Sequence, residues 1–300
     1  MMNIMKKSPL KTHEFYRERV NSQLNLFLSS IQSTSSSKNR LIDIMKYSAL
    51  GGGKRFRPIL TYTVASLFDV AIEKVDSCAC AIELIHIYSL IHDDLPAMDD
   101  DDIRHNQPTS HNVFGEAQAI LSGDGLQALA FQVICNDSLL ADETKVKLLS
   151  LLSESSYKMA EGQSIDLSIV SQKVDIDLLN EMHHKKTGAL LSCAINFGAI
   201  LNDTSDKDLS VLDEFSNKIG LAYQVQDDVL DETTSDDILG KRQNSDSTKN
   251  KPSYPSIIGV DESIRIFKEL YQGALDELSL LSVDPEPLRK ITRELMSRSY

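Results

Sequence analysis

One stretch limits what this chain can fold into: Ile91-His92-Asp93-Asp94-Leu95-Pro96-Ala97-Met98-Asp99-Asp100-Asp101-Asp102-Ile103-Arg104. Six aspartates fall within ten positions at the end of an apolar run, Cys78 to Ile91. Aspartate is a poor helix-interior residue, and clustered carboxylates repel one another. A cation is therefore expected among them. A second acidic cluster, Asp227-Asp228-Val229-Leu230-Asp231, also follows an apolar helical pattern. Two carboxylate clusters on two buried helices predict one divalent-metal site between them.

The second cluster has the cleaner geometry. At 100° per residue, Gln224, Asp227, Asp228 and Asp231 share one stripe of a helix. Gly220, one turn earlier, extends that stripe and predicts an empty space above it. Hard oxygen ligands with gaps between them suit Mg²⁺, which keeps waters and binds through one or two carboxylates plus substrate phosphates. A solvated acidic helix end has the same spacing. The first cluster cannot be one regular helix, because Pro96 interrupts it. The helix is predicted to end or bulge there, letting Asp99 turn back toward Asp93. A plain acidic surface loop is the alternative, while the alternating aspartates and glycine of an EF-hand are absent. His86 lies seven residues before Asp93 on the same helical face, which leads to the acidic cluster. A core histidine would fit that position as well.

Cations answer the acids. Gly51-Gly52-Gly53-Lys54-Arg55-Phe56-Arg57-Pro58 places three of them in a glycine-permissive loop before a helix, a cradle for an anion. The spacing is not that of a P-loop. Others lie in polar connectors: Lys185-Lys186-Thr187-Gly188, Lys241-Arg242, Lys249 and Lys251. Metal ions and lysines together clamp diphosphates. The balance of 44 acids against 31 bases, net charge −13, argues against nucleic acid or an anionic membrane surface as a partner. Cys78, Cys80, Cys135 and Cys193 form no C-x-x-C pair and predict buried free thiols in a reducing compartment. No apolar leader is visible at the start, and no run reaches the ~18 apolar residues of a membrane span. A cytoplasmic protein is expected.

Nearly every periodic segment reads as helix: about 15–31, 41–50, 58–70 with Pro58 in the first position, 78–92, 112–135, 142–161, 175–201, 207–232, 261–281 and 286–298. Strand alternation, long linkers and internal repeats are missing. The expectation is one all-α domain over residues 1–300.

Taken in order, G-G-K-R-x-R-P, D-D-x-x-x-x-D, G-Q-x-x-D-L (Gly162, Gln163, Asp166, Leu167), K-T-G, Q-x-Q-D-D-x-x-D, L-G-K (Leu239 to Lys241) and Lys251-Pro252-Ser253-Tyr254-Pro255 resemble the trans-polyprenyl diphosphate synthases, above all the bacterial farnesyl type. The resemblance runs from about residue 41 to 260. It implies a bundle of about ten helices around a deep apolar cavity, a homodimer, and three Mg²⁺ ions (or Mn²⁺) in the closed complex. By resemblance Asp93, Asp99 and Asp227 hold the metals, and Asp94, Asp228 and Asp231 complete or support their shell. Arg104, Lys186, Lys241 and Lys251 add charge to an allylic diphosphate, dimethylallyl and then geranyl. Thr187 and Gln224 place oxygen dipoles near an allylic cation, and Lys54, Arg57 and His86 hold isopentenyl diphosphate. Tyr88, five residues before Asp93, resembles the bulky floor residue of synthases that stop at fifteen carbons. On an ideal wheel Ser89, not Tyr88, shares the Asp93 face, so that role rests on the resemblance alone.

The chain departs from the family where two arginines and a glycine usually follow the first motif. It has Arg104, His105 and Asn106. Neutral His105 lacks the full charge and the guanidinium fork that would bind isopentenyl diphosphate, which predicts a weak KM that improves below pH ~6.5. Geranyl or geranylgeranyl diphosphate as product, a terpene cyclase on the same fold, a non-catalytic synthase subunit and an unrelated all-α diphosphohydrolase are the rival readings.

Overall fold

The computed structural model describes residues 13–31, 40–202, 204–233 and 251–297. The architecture is helical, as the periodicity predicts. In order come α1 (His13–Ser30), α2 (Arg40–Leu50), α3 (Phe56–Leu67), α4 (Asp76–Asp93), α5 (Ser110–Phe114), α6 (Glu116–Cys135), α7 (Asp142–Ser168), α8 (Ile176–His183), α9 (Ala189–Ile200) and α10 (Asp206–Thr233). The short α11 (Tyr254–Ile258), then α12 (Val260–Glu277) and α13 (Glu286–Met296) follow.

The middle of the bundle is α4, which packs against α1, α2, α3, α6, α7 and α9. Thirteen of its residues are buried, so its side chains are apolar nearly all round. The stretch Ile72–Asp93 is in fact long and apolar enough to cross a membrane, contrary to the expectation above, but 78% of its apolar window is buried inside the protein. It is the core helix. Truncating a side chain such as Ile82, which has no exposed surface, would cost about 2–5 kcal/mol.

Several sequence readings need correction. Pro58 is the third residue of α3, still within the turn where a missing N–H costs nothing. Gly115, at φ 87°, divides the segment read as one helix at 112–135 into α5 and α6. A two-residue hairpin, β1 (Ile103–Arg104) with β2 (Gln107–Pro108), follows the first acidic motif. The segment 175–201 is one rod, but α8 and α9 meet through a π-helical turn, His184–Gly188. Cys78, Cys80 and Cys193 are buried as expected, whereas Cys135, at the end of α6, is exposed.

Candidate functional site

The first acidic motif folds as Pro96 predicts. α4 ends at Asp93, and the chain turns back so that Asp99 N donates to Asp93 O at 2.9 Å and Asp101 N to Asp94 O at 3.2 Å. Burial pushes the Asp93 carboxyl up to about 7, with Asp99 and Asp94 adding to the rise and Lys186 opposing it. Asp94 is buried and paired with Arg104, whose Nε lies 3.0 Å from Asp94 Oδ1 and whose Nη2 reaches Asp101 Oδ2 at 3.0 Å. Asp99 faces a different cation: Lys251 Nζ donates to Asp99 Oδ1 and to Asp166 Oδ2, each at 2.8 Å.

Asp166, on α7, also accepts from Lys186 Nζ at 2.7 Å. Burial works against its charge, yet Lys186 and Lys251 hold it below the usual carboxylate range. Burial likewise disfavours the Lys251 ammonium, but Asp166 and Asp99 keep it above the ordinary lysine value. The π turn brings Lys186 here. A side-chain carbon on Gly162 would strike the Lys186 backbone nitrogen and come within 2.6 Å of its Cα, so α7 approaches the turn only through glycine. Widened turns of this kind are frequent at functional sites.

On the facing helix, the stripe read from sequence holds. Gln224, Asp227, Asp228 and Asp231 line one cavity of about 180 Å³ together with Asp166, His183, Lys186 and Lys251. Gly220 does not leave an empty space, however. A carbon placed on it would sit 3.2 Å from Gly188 Cα, so it serves close packing of α10 on the π turn. Asp228 is buried, and its Oδ2 accepts the Tyr254 backbone N–H at 2.9 Å.

A second cavity, of about 1200 Å³, takes in Lys54, Arg57, His86, Arg104 and His105, with Ile87, Leu90 and Ile91 on its α4 wall. Of the three loop cations, Arg55 is not part of the cradle. At φ 53° it turns inward and gives Nη1 to Glu83 Oε1 at 2.7 Å, Nη2 to Ala49 O at 2.6 Å and Nε to Asn21 Oδ1 at 2.8 Å. That internal pair anchors the loop, while Lys54 and Arg57 line the cavity. The Arg57 Nε is buried without a hydrogen-bond partner, a donor fitted to a phosphoryl oxygen. Burial drives His86 well below its ordinary pKa, with Arg57, His105 and Arg104 acting in the same direction. His86 is thus neutral and lines the anion cavity.

His105 and Asn106 form the turn of the hairpin, with φ 52° and 61°. Positive φ at both central positions is the mark of a two-residue type I′ turn, and His and Asn tolerate it better than most residues. Partial burial, then Arg104 and Arg55, lower the His105 pKa; Glu83 opposes them. Any window in which it gains charge therefore lies below the ordinary histidine value.

Four expected residues line neither cavity, among them Asp93 and Asp99 at the turn-back after α4. Thr187 is buried within the π turn. Tyr88 is buried, hydrogen-bonded to Gln127 and set edge-on to His92, with ring centroids 5.7 Å apart. Lys241, Arg242 and Lys249 lie outside the described residues. Sequence reasoning places Arg55 in the anion cradle and names Asp166 and Tyr254 only as members of motifs, and it does not single out His183 or Glu83.

Among the described residues no three carboxylate, imidazole or thiolate side chains converge into a ready metal shell. The donor chemistry still fits Mg²⁺, which takes one or two carboxylates and completes its shell with water and phosphate. The Asp93 carboxyl, pushed up to about 7 by burial beside Asp99 and Asp94, marks where a cation would be taken up.

A family model described as polyprenyl synthetase matches residues 38–279. The chain belongs to the polyprenyl synthetase family. It is 40% identical over 267 residues to the farnesyl diphosphate synthase of Escherichia coli (strain K12), covering 86% of this chain and 89% of that one. Its structure superposes on a geranyltransferase from Legionella pneumophila with TM-score 0.85 and 34% identity, over 96% of each chain. A geranyltransferase from Helicobacter pylori complexed with magnesium and isoprenyl diphosphate superposes with TM-score 0.82 at 28% identity, over 96% of this chain and 98% of that one. The chain is a prenyltransferase of this fold.

Proposed function

We propose that this polyprenyl synthetase joins isopentenyl diphosphate to dimethylallyl and then to geranyl diphosphate, releasing farnesyl diphosphate. One observation carries the reading: one cavity gathers Lys54, Arg57 and Arg104 beside His86, and a separate one gathers Asp166, Asp227, Asp228 and Asp231 with Lys186 and Lys251. Two diphosphates of different handling are what such a pair of cavities suits. The cation-rich cavity takes the diphosphate that keeps its phosphates, and the acidic one takes the diphosphate that leaves.

Mg²⁺ held by Asp93, Asp99 and Asp227 (three ions in the closed complex, with Mn²⁺ able to substitute) would supply Lewis-acid charge to the leaving diphosphate. Asp231 completes that shell. Asp94 and Asp228 support it from behind, since Arg104 and the Tyr254 amide already engage them. Lys186 and Lys251, with Lys241, steady the diphosphate as the allylic C–O bond breaks and its electron pair leaves with oxygen. The apolar wall of Ile87, Leu90 and Ile91 keeps water from the allylic cation. Thr187 and Gln224 turn oxygen toward it. The double bond of isopentenyl diphosphate, anchored by Lys54, Arg57 and His86, supplies the new C–C bond, and a proton passes to the departed diphosphate.

Tyr88 as the stop at fifteen carbons is supported by the resemblance and by the farnesyl relative. Its sideways packing on His92 speaks for the longer geranylgeranyl product. Exposed Val113 on α5 and Ile120 and Leu121 on α6 support a homodimer. The buried thiols of Cys78, Cys80 and Cys193 fit a reducing, cytoplasmic compartment. The test is a product assay with Mg²⁺, labelled isopentenyl diphosphate and each allylic primer. Farnesol after dephosphorylation supports the reading, geranylgeraniol removes the Tyr88 stop, and no elongation by the folded protein overturns it.

A further inference from the structure

His183 takes no part in the reading above, yet it stands between two residues that do. It is only 4% exposed, at the end of α8, with its ring stacked on Tyr254 at 6.0 Å and 20°. Its Nε2 is buried and makes no hydrogen bond, and the acceptor it faces is Asp228 Oδ2 at 3.4 Å. Its Nδ1 lies 3.5 Å from the Gln224 amide nitrogen, Nε2. The chemistry of the partners selects the tautomer. A carboxylate oxygen only accepts, so the imidazole nitrogen facing Asp228 carries the proton. In the neutral ring the other nitrogen is then a bare acceptor, which only the NH₂ end of Gln224 can satisfy. With its NH₂ held by the ring, Gln224 has its carbonyl oxygen left for the cavity that it lines.

We propose that His183, as the Nε2–H tautomer, is a positioning residue that braces Asp228 and fixes the Gln224 amide with its oxygen toward the allylic cation. The inference rests on the reading that Gln224 faces that cation. A reversed amide would present N–H hydrogens, whose positive charge opposes the cation instead of stabilising it. An unbraced Gln224 would sample both orientations.

The two contacts can be separated. In His183→Gln, the amide nitrogen replaces ring Nε2 and can still donate to Asp228, but nothing accepts from Gln224. In His183→Asn, the oxygen replaces ring Nδ1 and can still accept from Gln224, but Asp228 loses its donor. The expected result is that His183→Gln lowers kcat on the order of tenfold with an unchanged Mg²⁺ half-saturation. His183→Asn raises the Mg²⁺ half-saturation on the order of tenfold with kcat nearly retained at saturating metal. Parallel losses of both quantities in both variants mean a packing role and overturn the proposal. If either variant fails to fold, ¹⁵N-histidine NMR of the unaltered protein decides: a protonated Nε2 with bare Nδ1 supports the proposal, and the opposite tautomer or an imidazolium overturns it. Gln224→Ala is the control on the parent reading, because unchanged kcat there removes the cation role of Gln224 whatever the tautomer of His183.

Discussion

Asp99 and Lys251 stand 152 positions apart in sequence and form an ion pair of 2.8 Å, with both side chains nearly buried. The same ammonium reaches Asp166 on α7, so one lysine ties the first acidic motif to the middle of the bundle. Lys251 therefore competes with a metal for Asp99 and, by the reading above, steadies the diphosphate. Lys251→Gln should act on the two in opposite directions. Less Mg²⁺ is needed for half-maximal activity, because Asp99 has lost its competing cation. At saturating Mg²⁺, kcat falls by about 100-fold, as for other electrostatic groups aimed at developing charge. Without metal the variant melts below wild type, since a buried carboxylate loses its partner, and Mg²⁺ closes most of the gap. Steady-state Mg²⁺ titrations and melting curves check both arms.

Asp93 gives a stability test whose sign is unusual for an aspartate. Its folded pKa is raised to about 7 from a usual value of about 4, so between those limits the folded chain binds more protons than the unfolded one. The group thus destabilises the metal-free fold increasingly as pH rises from 4 to 7, and fully above 7. Asp93→Asn removes that cost. At pH 8 without Mg²⁺ the variant should melt above wild type, near pH 4 the two should coincide, and activity should fall by at least about 100-fold. A variant that melts below wild type at pH 8 would contradict the burial argument.

The parts of the site that lie along one helix were legible in the sequence. Gln224, Asp227, Asp228 and Asp231 obey the 3.6-residue period, and they line one cavity. The turn-back of Asp99 was legible too, because Pro96 forbids the regular helix. What stayed hidden depends on how helices meet. Gly220 has the same side-chain-free surface whether it faces a void or another backbone, and only the position of Gly188 decides. Arg55 and Lys54 are neighbours of like charge in the sequence. The left-handed φ of Arg55 turns it onto Glu83, 28 residues away, with no local signal for that pairing. The π turn at His184–Gly188 has no proline to announce it, and packing against Gly162 marks the place.

His105 carries the chain's departure from the doubled arginine of its family. Its lowered pKa moves the expected gain in isopentenyl diphosphate binding below pH 6.5, so that KM should be flat from pH 7 to 8 and fall only on the acid side. His105→Arg supplies a permanent charge from the same hairpin turn and should lower that KM by about tenfold at pH 7.5, with kcat little changed. The turn makes a second demand: an arginine accepts φ 52° less readily, so a loss of up to about 1 kcal/mol in stability should accompany the tighter binding. KM measured across pH for both proteins, beside their melting curves, separates the two effects.

Gly162 offers a test of the site's rigidity that leaves every charged group in place. A methyl group there meets the Lys186 backbone rather than a movable side chain, with Lys186 Cα 2.6 Å away and Lys185 C at 2.7 Å. The π turn must shift, and it carries Lys186 off Asp166 and moves buried Thr187 with it. Gly162→Ala should therefore destabilise the fold by about 1–3 kcal/mol, an overpacking cost, while kcat falls by about 100-fold. The same change at Gly115 or Gly259 meets no atom within 4 Å, but both have φ 87°, so alanine there costs backbone strain. Those two variants should lose comparable stability with kcat nearly intact. If all three lost activity in proportion to stability, the loss at Gly162 would be one of folding, and the close approach of α7 to the π turn would have no special part in placing Lys186.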